Sequence, residues 1–202
     1  MKKAVSLTVV VAVIAGFVGL MAWGMLNQEP ATGRSGLTRV NKPAPALTLP
    51  LFDGGEFVLQ EHLGKPVVIN FWASWCIPCR LEAAGLERTW RAYRDQGVMF
   101  VGVDIQDADR DARAYLREFN ITYPNGLDAD GKITIDYGVV GIPVTYLVNR
   151  EGIIARRFVG ALSESRLATW IEELLAGTTP SGGVEEANPE GYTELDQKAD
   201  QP

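Results

Sequence analysis

The chain has 202 residues, which suits one domain with extensions at its ends. Hydrophobic residues make up 47% and charged residues 22%, a composition typical of a globular protein with a buried core. The net charge of −6 and the lack of a basic patch argue against nucleic acid as a partner.

The N-terminal segment predicts a membrane anchor at residues 1–26. Lys2 and Lys3 precede Ala4–Leu26, which carries no charge and as a helix would be roughly 35 Å long, enough to cross a bilayer. A cleaved signal peptide is the alternative, although its apolar region is normally only about 7–15 residues long. The two lysines predict a cytoplasmic N-terminus, which places the rest of the chain on the extracytoplasmic side of the cell membrane, an oxidising compartment.

Two polar segments flank the predicted domain, which spans residues 47–177. Residues 27–46 contain Pro, Gly and Ser without a hydrophobic period, and we interpret them as a tether. Residues 178–202 carry six acidic residues and one basic residue, so we expect a disordered, solubilising tail. An acidic docking segment is the alternative interpretation of this tail.

Hydrophobic periodicity predicts the first half of the domain in chain order. Short strands on either side of Asp53–Gly55 predict a hairpin. The nearly continuous apolar run 67–72 predicts a strand that is buried on both faces, and the apolar run 98–103 predicts a second buried strand. Each run is followed by apolar residues at helical spacing, which predicts two amphipathic helices. The residues at this spacing are Leu86, Trp90 and Tyr93 in the first helix and Ala112, Tyr115, Leu116 and Phe119 in the second.

The second half of the domain predicts a connector, a hairpin and a last helix. Residues 121–138 are interpreted as a connector of 18 residues. Strands 144–148 and 153–159 predict a second hairpin, and a helix follows with Ser163 as its N-cap and Gly177 after its end. A βαβ unit followed by a ββα unit predicts an α/β fold whose mixed central sheet has helices on both faces.

The two cysteines, Cys76 and Cys79, lie three positions apart in the stretch FWASWCIPCRLE. A structural disulfide between them would close a very short loop and stabilise little. A zinc site needs about four Cys or His ligands, whereas this chain has two cysteines and one histidine, His62. Haem attachment needs His directly after the second cysteine, where this chain has Arg80. A cysteine hydrolase needs a His beside the thiol, and we expect His62 on the surface. We therefore predict no metal and no cofactor.

Reversible dithiol–disulfide chemistry is the function that remains for this pair. Cys76 follows a buried strand and begins a helix, whose N-terminus carries partial positive charge and free N–H groups. Such a position favours the thiolate and lowers the pKa of a cysteine, and Pro78 fits the first turn of a helix. We predict that Cys76 attacks a substrate disulfide and that Cys79, the more buried of the two, resolves the mixed disulfide.

The segment FWASWCIPCR resembles the active site of the thioredoxin superfamily. The whole of residues 47–177 resembles its membrane-tethered TlpA/ResA/DsbE branch, and the segments KPVVINFWASWCIPC and GLDADGKITIDYGVVGIPVTYLVNREG carry the match. The resemblance implies a thioredoxin-like fold with an N-terminal hairpin and a mid-domain insertion at 121–138. It also implies thiol-disulfide oxidoreductase activity on protein substrates.

The resemblance implies roles for residues beyond the cysteines. Pro143 matches a cis-proline that faces the dithiol, and the backbone of Ile142 would hydrogen-bond an extended substrate peptide. An ordinary trans proline that opens a strand is the alternative. Glu82 lies one helical turn after Cys79 and matches a glutamate that exchanges protons with this thiol. A solvated Glu82 on the helix surface is the alternative.

Other positions match or depart from the family pattern. Trp75 is expected to shield the dithiol and Trp72 to pack in the core. Thioredoxin has a buried Asp where this chain has Asn70, which cannot titrate, and this favours Glu82 as the proton carrier. Members of the DsbE type have Pro-Glu-Thr where this chain has Pro143–Thr145 with Val in the middle, which weakens assignment to that subgroup.

Residues 107–118 place acids as a calcium-binding EF-hand loop does. Position 6 of the loop is Ala112, where the turn needs Gly. Acids in the first turn of a helix also suit the helix dipole, so we predict a helix and no calcium site.

Three functions are compatible with the sequence. The resemblance favours a reductant of protein disulfides, with apocytochrome c in cytochrome c maturation as a candidate substrate. Its electrons would come from a membrane thiol donor, because the compartment itself is oxidising. The second function is an oxidant or general disulfide-exchange enzyme. The third is a membrane-tethered binding or assembly factor whose thiols are incidental.

Overall fold

The computed structural model describes residues 40–178 and 184–186 and six residues of the N-terminal segment. The chain divides into two units, residues 1–34 and 35–202. In the first unit six residues are described, all helical: Ile14, Gly16, Phe17, Gly19, Leu20 and Trp23. The rest of the predicted anchor at 1–26 lies outside the described residues. Within the described part of the chain no helix is long and apolar enough to cross a bilayer.

In the described part of the second unit, two separate sheets are present. Strands β1 (Thr48–Pro50) and β2 (Glu56–Val58) pair as the predicted antiparallel hairpin. The larger sheet contains β3 (Val67–Trp72), β4 (Met99–Asp104), β5 (Asn125–Leu127), β6 (Val144–Val148), β7 (Ile154–Val159) and β8 (Val184–Glu186). Its strand order is β5-β4-β3-β6-β7-β8. The β3–β4, β4–β5 and β7–β8 pairs are parallel, whereas β6 runs antiparallel to both of its neighbours. The predicted mixed sheet is therefore confirmed.

Among the described residues, four α-helices pack against this sheet. They are α1 (Ile77–Tyr93), α2 (Asp109–Glu118), α3 (Lys132–Tyr137) and α4 (Glu164–Leu175). The helices α1, α2 and α4 were predicted from hydrophobic spacing, and α2 covers most of the segment with EF-hand-like acids. Ser163 is the N-cap of α4, but its side chain makes no capping hydrogen bond.

The alternation of side chains along β3 separates the two layers of the core. Ile69 and Phe71 point to the face that the hairpin and α3 cover. Val68 points to the opposite face, towards α1 and α4, and Trp72 points towards α1 and α2. All six residues of β3 are buried, so the strand is covered on both faces and lies at the centre of the fold.

The connector at 121–138 contains two elements that periodicity did not predict, β5 and α3. Gly126 permits β5 to run against the hairpin, since a Cβ there would lie 2.0 Å from the carbonyl oxygen of Pro50. The Asp128 carboxylate accepts hydrogen bonds from the backbone N–H groups of Ile133 and Thr134 at 3.2 and 2.8 Å, which fixes the start of α3. Both elements are too short for a hydrophobic period and depend on these tertiary contacts.

At both ends the folded domain extends beyond residues 47–177, the boundaries predicted from the sequence. The N–H of Asn41 and the N–H of Ala44 donate to the carbonyls of Ile154 and Gly152, so this end of the predicted tether pairs with the domain. At the other end β8 falls within the predicted tail and pairs with the edge of β7. An exposed edge strand offers unpaired N–H and C=O groups to such a segment. The remaining tail residues after Thr178 lie outside the described residues.

Candidate active site

The two cysteines lie where β3 ends and α1 begins, as predicted. Cys76 is the N-cap of α1 with an extended backbone, and Pro78 lies in the first turn. The backbone N–H of Cys79 donates to the Sγ of Cys76 at 3.2 Å. A disulfide joins the two residues. The N–H of Cys79 therefore points at the Cys76 sulfur, and the start of α1 would stabilise negative charge on this sulfur once the disulfide is reduced.

The two cysteines differ in exposure in the predicted direction. Cys76 is 4% exposed and Cys79 is 1% exposed. Their sequence neighbours Trp75 and Ile77 are 57% and 72% exposed. The dithiol therefore lies under the surface beside two large apolar side chains that are open to a partner, and Cys76 is the more accessible of the pair.

The loop before β6 lies beside the dithiol. The Ile142–Pro143 peptide bond is cis, as the resemblance implies, so the alternative of a trans proline is wrong. Ile142 packs against the cluster that contains Cys76 and Cys79. The structure thus brings the predicted residues of the substrate-binding loop and the cysteines together, although they are far apart in the sequence.

Glu82 lies on the buried side of the helix that carries the cysteines, so the alternative of a solvated side chain is wrong. Its Oε1 accepts a hydrogen bond from the Asn70 amide at 2.8 Å, and its Oε2 accepts one from the Leu162 N–H at 2.7 Å. Burial raises the pKa of Glu82 to about 8, against the opposing effect of these two hydrogen bonds. A carboxyl group with this pKa can exchange a proton near neutral pH.

Asn70 links Glu82 to the strand that follows the cis-proline. Its amide also donates to the Oγ1 of Thr145 at 3.1 Å, and all three side chains are buried. Both N–H groups of the Asn70 amide therefore donate to buried side chains, one to Glu82 and one to Thr145. The carboxylate that is absent at position 70 is supplied by Glu82 from the facing helix.

Trp72 has more than the packing role predicted for it. Its indole stacks on the Tyr115 ring with 4.3 Å between the ring centroids, and its Nε1 donates to the Asn125 Oδ1 at 2.9 Å. The Tyr115 hydroxyl donates to the carbonyl of Cys79 at 3.0 Å. Trp72 and Tyr115 thereby connect β5 and α2 to the helix that carries the cysteines.

The loop after β4 holds the two residues that precede Cys76, and sequence reasoning missed this contact. The Asp107 carboxylate accepts hydrogen bonds from the Ser74 N–H at 2.6 Å and from the Ser74 hydroxyl at 3.0 Å. The Trp75 indole donates to the carbonyl of Gln106 at 3.1 Å, so Trp75 stands at the rim of the site. The sequence signal for this contact is the position of Asp107 shortly after a buried strand. The interpretation of residues 107–118 as a helix assigns this acid to the helix dipole instead.

His62 lies away from the cysteines in the hairpin region. Its ring stacks on Phe57 with 4.5 Å between centroids, so it is half-buried, whereas the sequence predicts an exposed surface position. Among the described residues no group of three or more His, Cys, Asp or Glu side chains could hold a metal ion.

Comparisons with known proteins agree with this geometry. The model of the AhpC/TSA family matches residues 40–157. The thiol:disulfide interchange protein HelX of Rhodobacter capsulatus is 36% identical over 169 residues, which cover 82% of this chain and 93% of that protein. The thiol:disulfide interchange protein DsbE of Pseudomonas fluorescens biotype C is 34% identical over 139 residues, or 68% of this chain and 74% of that protein.

A solved structure shows the same fold. The crystal structure of a thiol:disulfide interchange protein of the thioredoxin family from Chlorobium tepidum TLS aligns with a TM-score of 0.61 and 26% identity, covering 66% of this chain and 95% of that one. The thioredoxin-like fold and the resemblance to the ResA/DsbE branch are thus confirmed. With its Cys76–Cys79 pair at the start of α1, the chain belongs to the AhpC/TSA family and is a thiol-disulfide oxidoreductase of the DsbE and ResA type.

Proposed function

We propose that this protein is a membrane-anchored, extracytoplasmic reductant of protein disulfides that acts in cytochrome c maturation. The observation that carries the proposal is the Cys76–Cys79 pair, placed at a helix N-terminus with the buried Glu82 on the same helix. The similarity to HelX and DsbE, both named thiol:disulfide interchange proteins, supports it further.

The proposed reaction has two exchange steps. The Cys76 thiolate attacks a substrate disulfide, forms a mixed disulfide with one substrate sulfur and releases the other as a thiolate, which takes up a proton. Cys79 then gives its proton to the Glu82 carboxylate and attacks the Cys76 sulfur. This step releases the second substrate thiolate and leaves the Cys76–Cys79 disulfide. Two electrons from a membrane thiol donor restore the dithiol.

The residues around the dithiol have proposed roles in holding the substrate. An extended peptide would accept and donate backbone hydrogen bonds at Ile142, next to the cis-Pro143. The exposed side chains of Trp75 and Ile77 would cover the reacting sulfurs and exclude water. Both roles are supported by the position of this loop and these side chains beside Cys76.

The location rests on the N-terminal sequence. Lys2 and Lys3 before the uncharged stretch Ala4–Leu26 favour a signal-anchor that stays in the cell membrane. The catalytic domain would then face an oxidising compartment, where a reductant needs a dedicated electron donor.

Trapping of the mixed disulfide tests the proposal most simply. The Cys79→Ser variant cannot resolve the mixed disulfide, so its partner should stay bound to Cys76. A non-reducing gel of cell extracts detects this covalent complex. The matched control is Cys76→Ser, which should hold none. An extracytoplasmic protein with paired cysteines, such as an apocytochrome c, is the expected partner. Equal capture by both variants, or no capture by Cys79→Ser, would contradict the proposal.

Two further measurements separate the alternative functions. The reduction potential of the pair, measured against a glutathione buffer, decides direction, because a strongly oxidising value would indicate an oxidant. A binding or assembly factor would still complement a deletion strain after Cys76→Ser and Cys79→Ser are combined. A reductase would not.

A further inference from the structure

Arg80 directly follows Cys79 near the start of α1, and the proposed reaction does not use it. The N-terminus of a helix carries partial positive charge, so acidic side chains stabilise it and a cation does not. The first turn of α1 contains no acidic residue, and Arg80 places a cation next to it. The stability of the helix alone therefore does not explain this residue.

Contacts with two other segments hold the Arg80 side chain, which is 35% exposed. Its Nη1 donates to the carbonyl of Ser74 at 3.4 Å, and its Nη2 pairs with the carboxylate of Glu118 at the end of α2. The guanidinium carbon also lies over the rings of Tyr115 and Phe119, 5.7 and 5.1 Å from their centroids. The positive charge is thereby held between α2 and the loop that precedes Cys76.

These contacts keep the guanidinium at the end of α1 where Cys76 lies. Helical side chains slant towards the N-terminus of their helix. The hydrogen bond to Ser74, two residues before Cys76, shows that Arg80 follows this rule. Cys76 and Arg80 are four positions apart, about 6 Å of rise along a helix. Two charges at this range interact even near a protein surface.

Two acids that face the same part of the chain act in the opposite sense. The carboxylate of Asp107 accepts hydrogen bonds from the N–H and the hydroxyl of Ser74 at 2.6 and 3.0 Å. Glu82, when it is ionised, adds a negative charge on the buried side of α1. A negative charge disfavours a nearby thiolate and a cation favours it. The guanidinium of Arg80 therefore offsets part of the negative charge around Cys76.

We propose that Arg80 is a positioning residue that places a fixed cation at the start of α1 and so stabilises the thiolate of Cys76. Glu118 limits this effect, because it pairs with the same cation. A larger thiolate fraction speeds the attack of Cys76 on a disulfide, and a more stable thiolate favours the dithiol form of the pair. Two opposite charges thus set the reactivity of Cys76.

This role of Arg80 requires only dithiol exchange by Cys76 and Cys79, in either direction and with any substrate. Failure of the reductant role under "Proposed function" would leave it unaffected. It predicts that removing the cation and removing its acidic partner have opposite effects on the pKa of the Cys76 thiol. A purely structural ion pair predicts the same effect from both changes, since each breaks the same contact.

Titration of Cys76 in charge variants provides the test. Arg80→Gln, Arg80→Lys and Glu118→Gln are each made in the Cys79→Ser background, where Cys76 is the only thiol of the chain. The ultraviolet absorbance of the thiolate is followed against pH, at low ionic strength and at about 1 M salt, where the Debye length falls to about 3 Å.

Arg88→Gln is the matched control. Arg88 also belongs to α1 and pairs with an acid of another helix, Glu164 of α4, at 2.7 Å. It lies 12 positions after Cys76, about 18 Å along a helix. Its loss should therefore leave the pKa of Cys76 at the value of the background protein.

The direction of each change decides the outcome. Arg80→Gln should raise the pKa of Cys76 by roughly half a unit, the size expected of one charge near a helix terminus. Glu118→Gln should lower it by less, Arg80→Lys should stay close to the background protein, and salt should reduce both changes.

Three results would overturn the role of Arg80. They are an unchanged pKa of Cys76 in Arg80→Gln, an unchanged or raised pKa in Glu118→Gln, and a rise in Arg80→Lys as large as that in Arg80→Gln. The side chain of Glu118 is 53% exposed, so its replacement leaves the core intact. If Arg80→Gln does not fold, the direction of the change in Glu118→Gln decides alone.

Discussion

Two buried acids, Glu82 and Asp104, lie close to the dithiol, and their different surroundings separate their roles. Glu82 receives hydrogen bonds from Asn70 and Leu162, which satisfy it as a carboxylate. Asp104 receives none on its side chain and fits only as a neutral acid. At the level of single residues, the first can take up a proton during the reaction, and the second is stable in its buried position only while it is neutral.

Glu82→Gln tests the proton transfer. If the Glu82 carboxylate accepts the Cys79 proton, resolution of the mixed disulfide should accelerate as pH rises through about 8, where Glu82 ionises. Glu82→Gln should remove this rise and slow resolution by roughly a hundredfold at pH 8, the lower end of general base catalysis. Stopped-flow measurement of resolution, starting from a mixed disulfide on Cys76, gives both values.

Glu87→Gln is the matched control for this measurement. Glu87 is also a buried glutamate of α1, but its carboxylate accepts hydrogen bonds from Thr122 and Arg91 and not from the residues around Glu82. It should keep the wild-type pH profile. If Glu82→Gln also kept the wild-type profile, the thiol proton would leave by another route.

The sequence predicts some of these residues better than others. Cys76 and Cys79 are recognisable from spacing and from the helix start that follows a buried strand. The environment of Glu82 depends on the Leu162 N–H, which comes from a segment 80 positions away. The contact between Asp107 and Ser74 likewise joins two loops. Local periodicity contains no information on either contact.

At the scale of elements, α1 and the strands beside it form one polar and aromatic assembly. Trp72 of β3 hydrogen-bonds Asn125 of β5 across the Cα of Gly102 in β4. A Cβ at Gly102 would lie 1.8 Å from the Asn125 Oδ1 and 2.8 Å from the Trp72 Nε1. Glycine therefore permits the hydrogen bond that fixes Trp72 behind the dithiol.

Gly102→Ala should consequently break the Trp72–Asn125 hydrogen bond. We expect the free energy of unfolding to fall by about 1–3 kcal/mol, the usual cost of overfilling a packed core. Urea denaturation measures this change. Gly141→Ala is the control, because a Cβ there meets no atom within 4 Å, and its stability should equal that of the wild type. Equal free energies of unfolding for the two variants would contradict the prediction, because they would mean that the Asn125 side chain can move away from the new methyl group without a loss of stability.

Prediction of the elements succeeded where the signal is local. The continuous apolar run of β3 and the helical spacings of α1, α2 and α4 are properties of the adjacent sequence. The elements β5 and α3 have three and six residues, and they are held by the hairpin and by Asp128. Their existence follows from tertiary contacts, so composition indicated only a connector.

On the largest scale, the central sheet separates a mainly aliphatic and aromatic layer from the layer that contains the reactive groups. The hairpin and α3 cover one face with aliphatic and aromatic side chains. The other face holds both cysteines and, near them, the buried polar residues Asn70, Glu82 and Asp104. The domain therefore keeps two neutralisable acids inside its core, and its stability should depend on pH.

The sign of this dependence follows from the two raised pKa values. Burial raises the pKa of Glu82 from 4.5 to about 8 and that of Asp104 from 3.8 to about 8. The folded protein therefore binds protons that the unfolded chain releases, and each acid lowers the free energy of unfolding as pH rises from about 5 to 8. The slope is on the order of 1 kcal/mol per pH unit for each acid.

Urea denaturation at pH 5.5, 7 and 8.5 measures this slope. The wild type should lose stability over the range relative to Glu82→Gln and to Asp104→Asn, each of which removes one titrating group. The double variant should have the flattest profile. Parallel profiles for all four proteins would mean that neither acid changes its protonation on unfolding.

Redox titration of the cysteine pair shows whether Cys76 and Cys79 exchange electrons as one unit. The protein is equilibrated across a series of glutathione redox buffers, the free thiols are alkylated, and the mass of the intact chain is measured. We expect the protein to show one transition, in which Cys76 and Cys79 change together between the disulfide and the dithiol form. A protein that stays bridged under every buffer, or one whose two cysteines react independently, would contradict it.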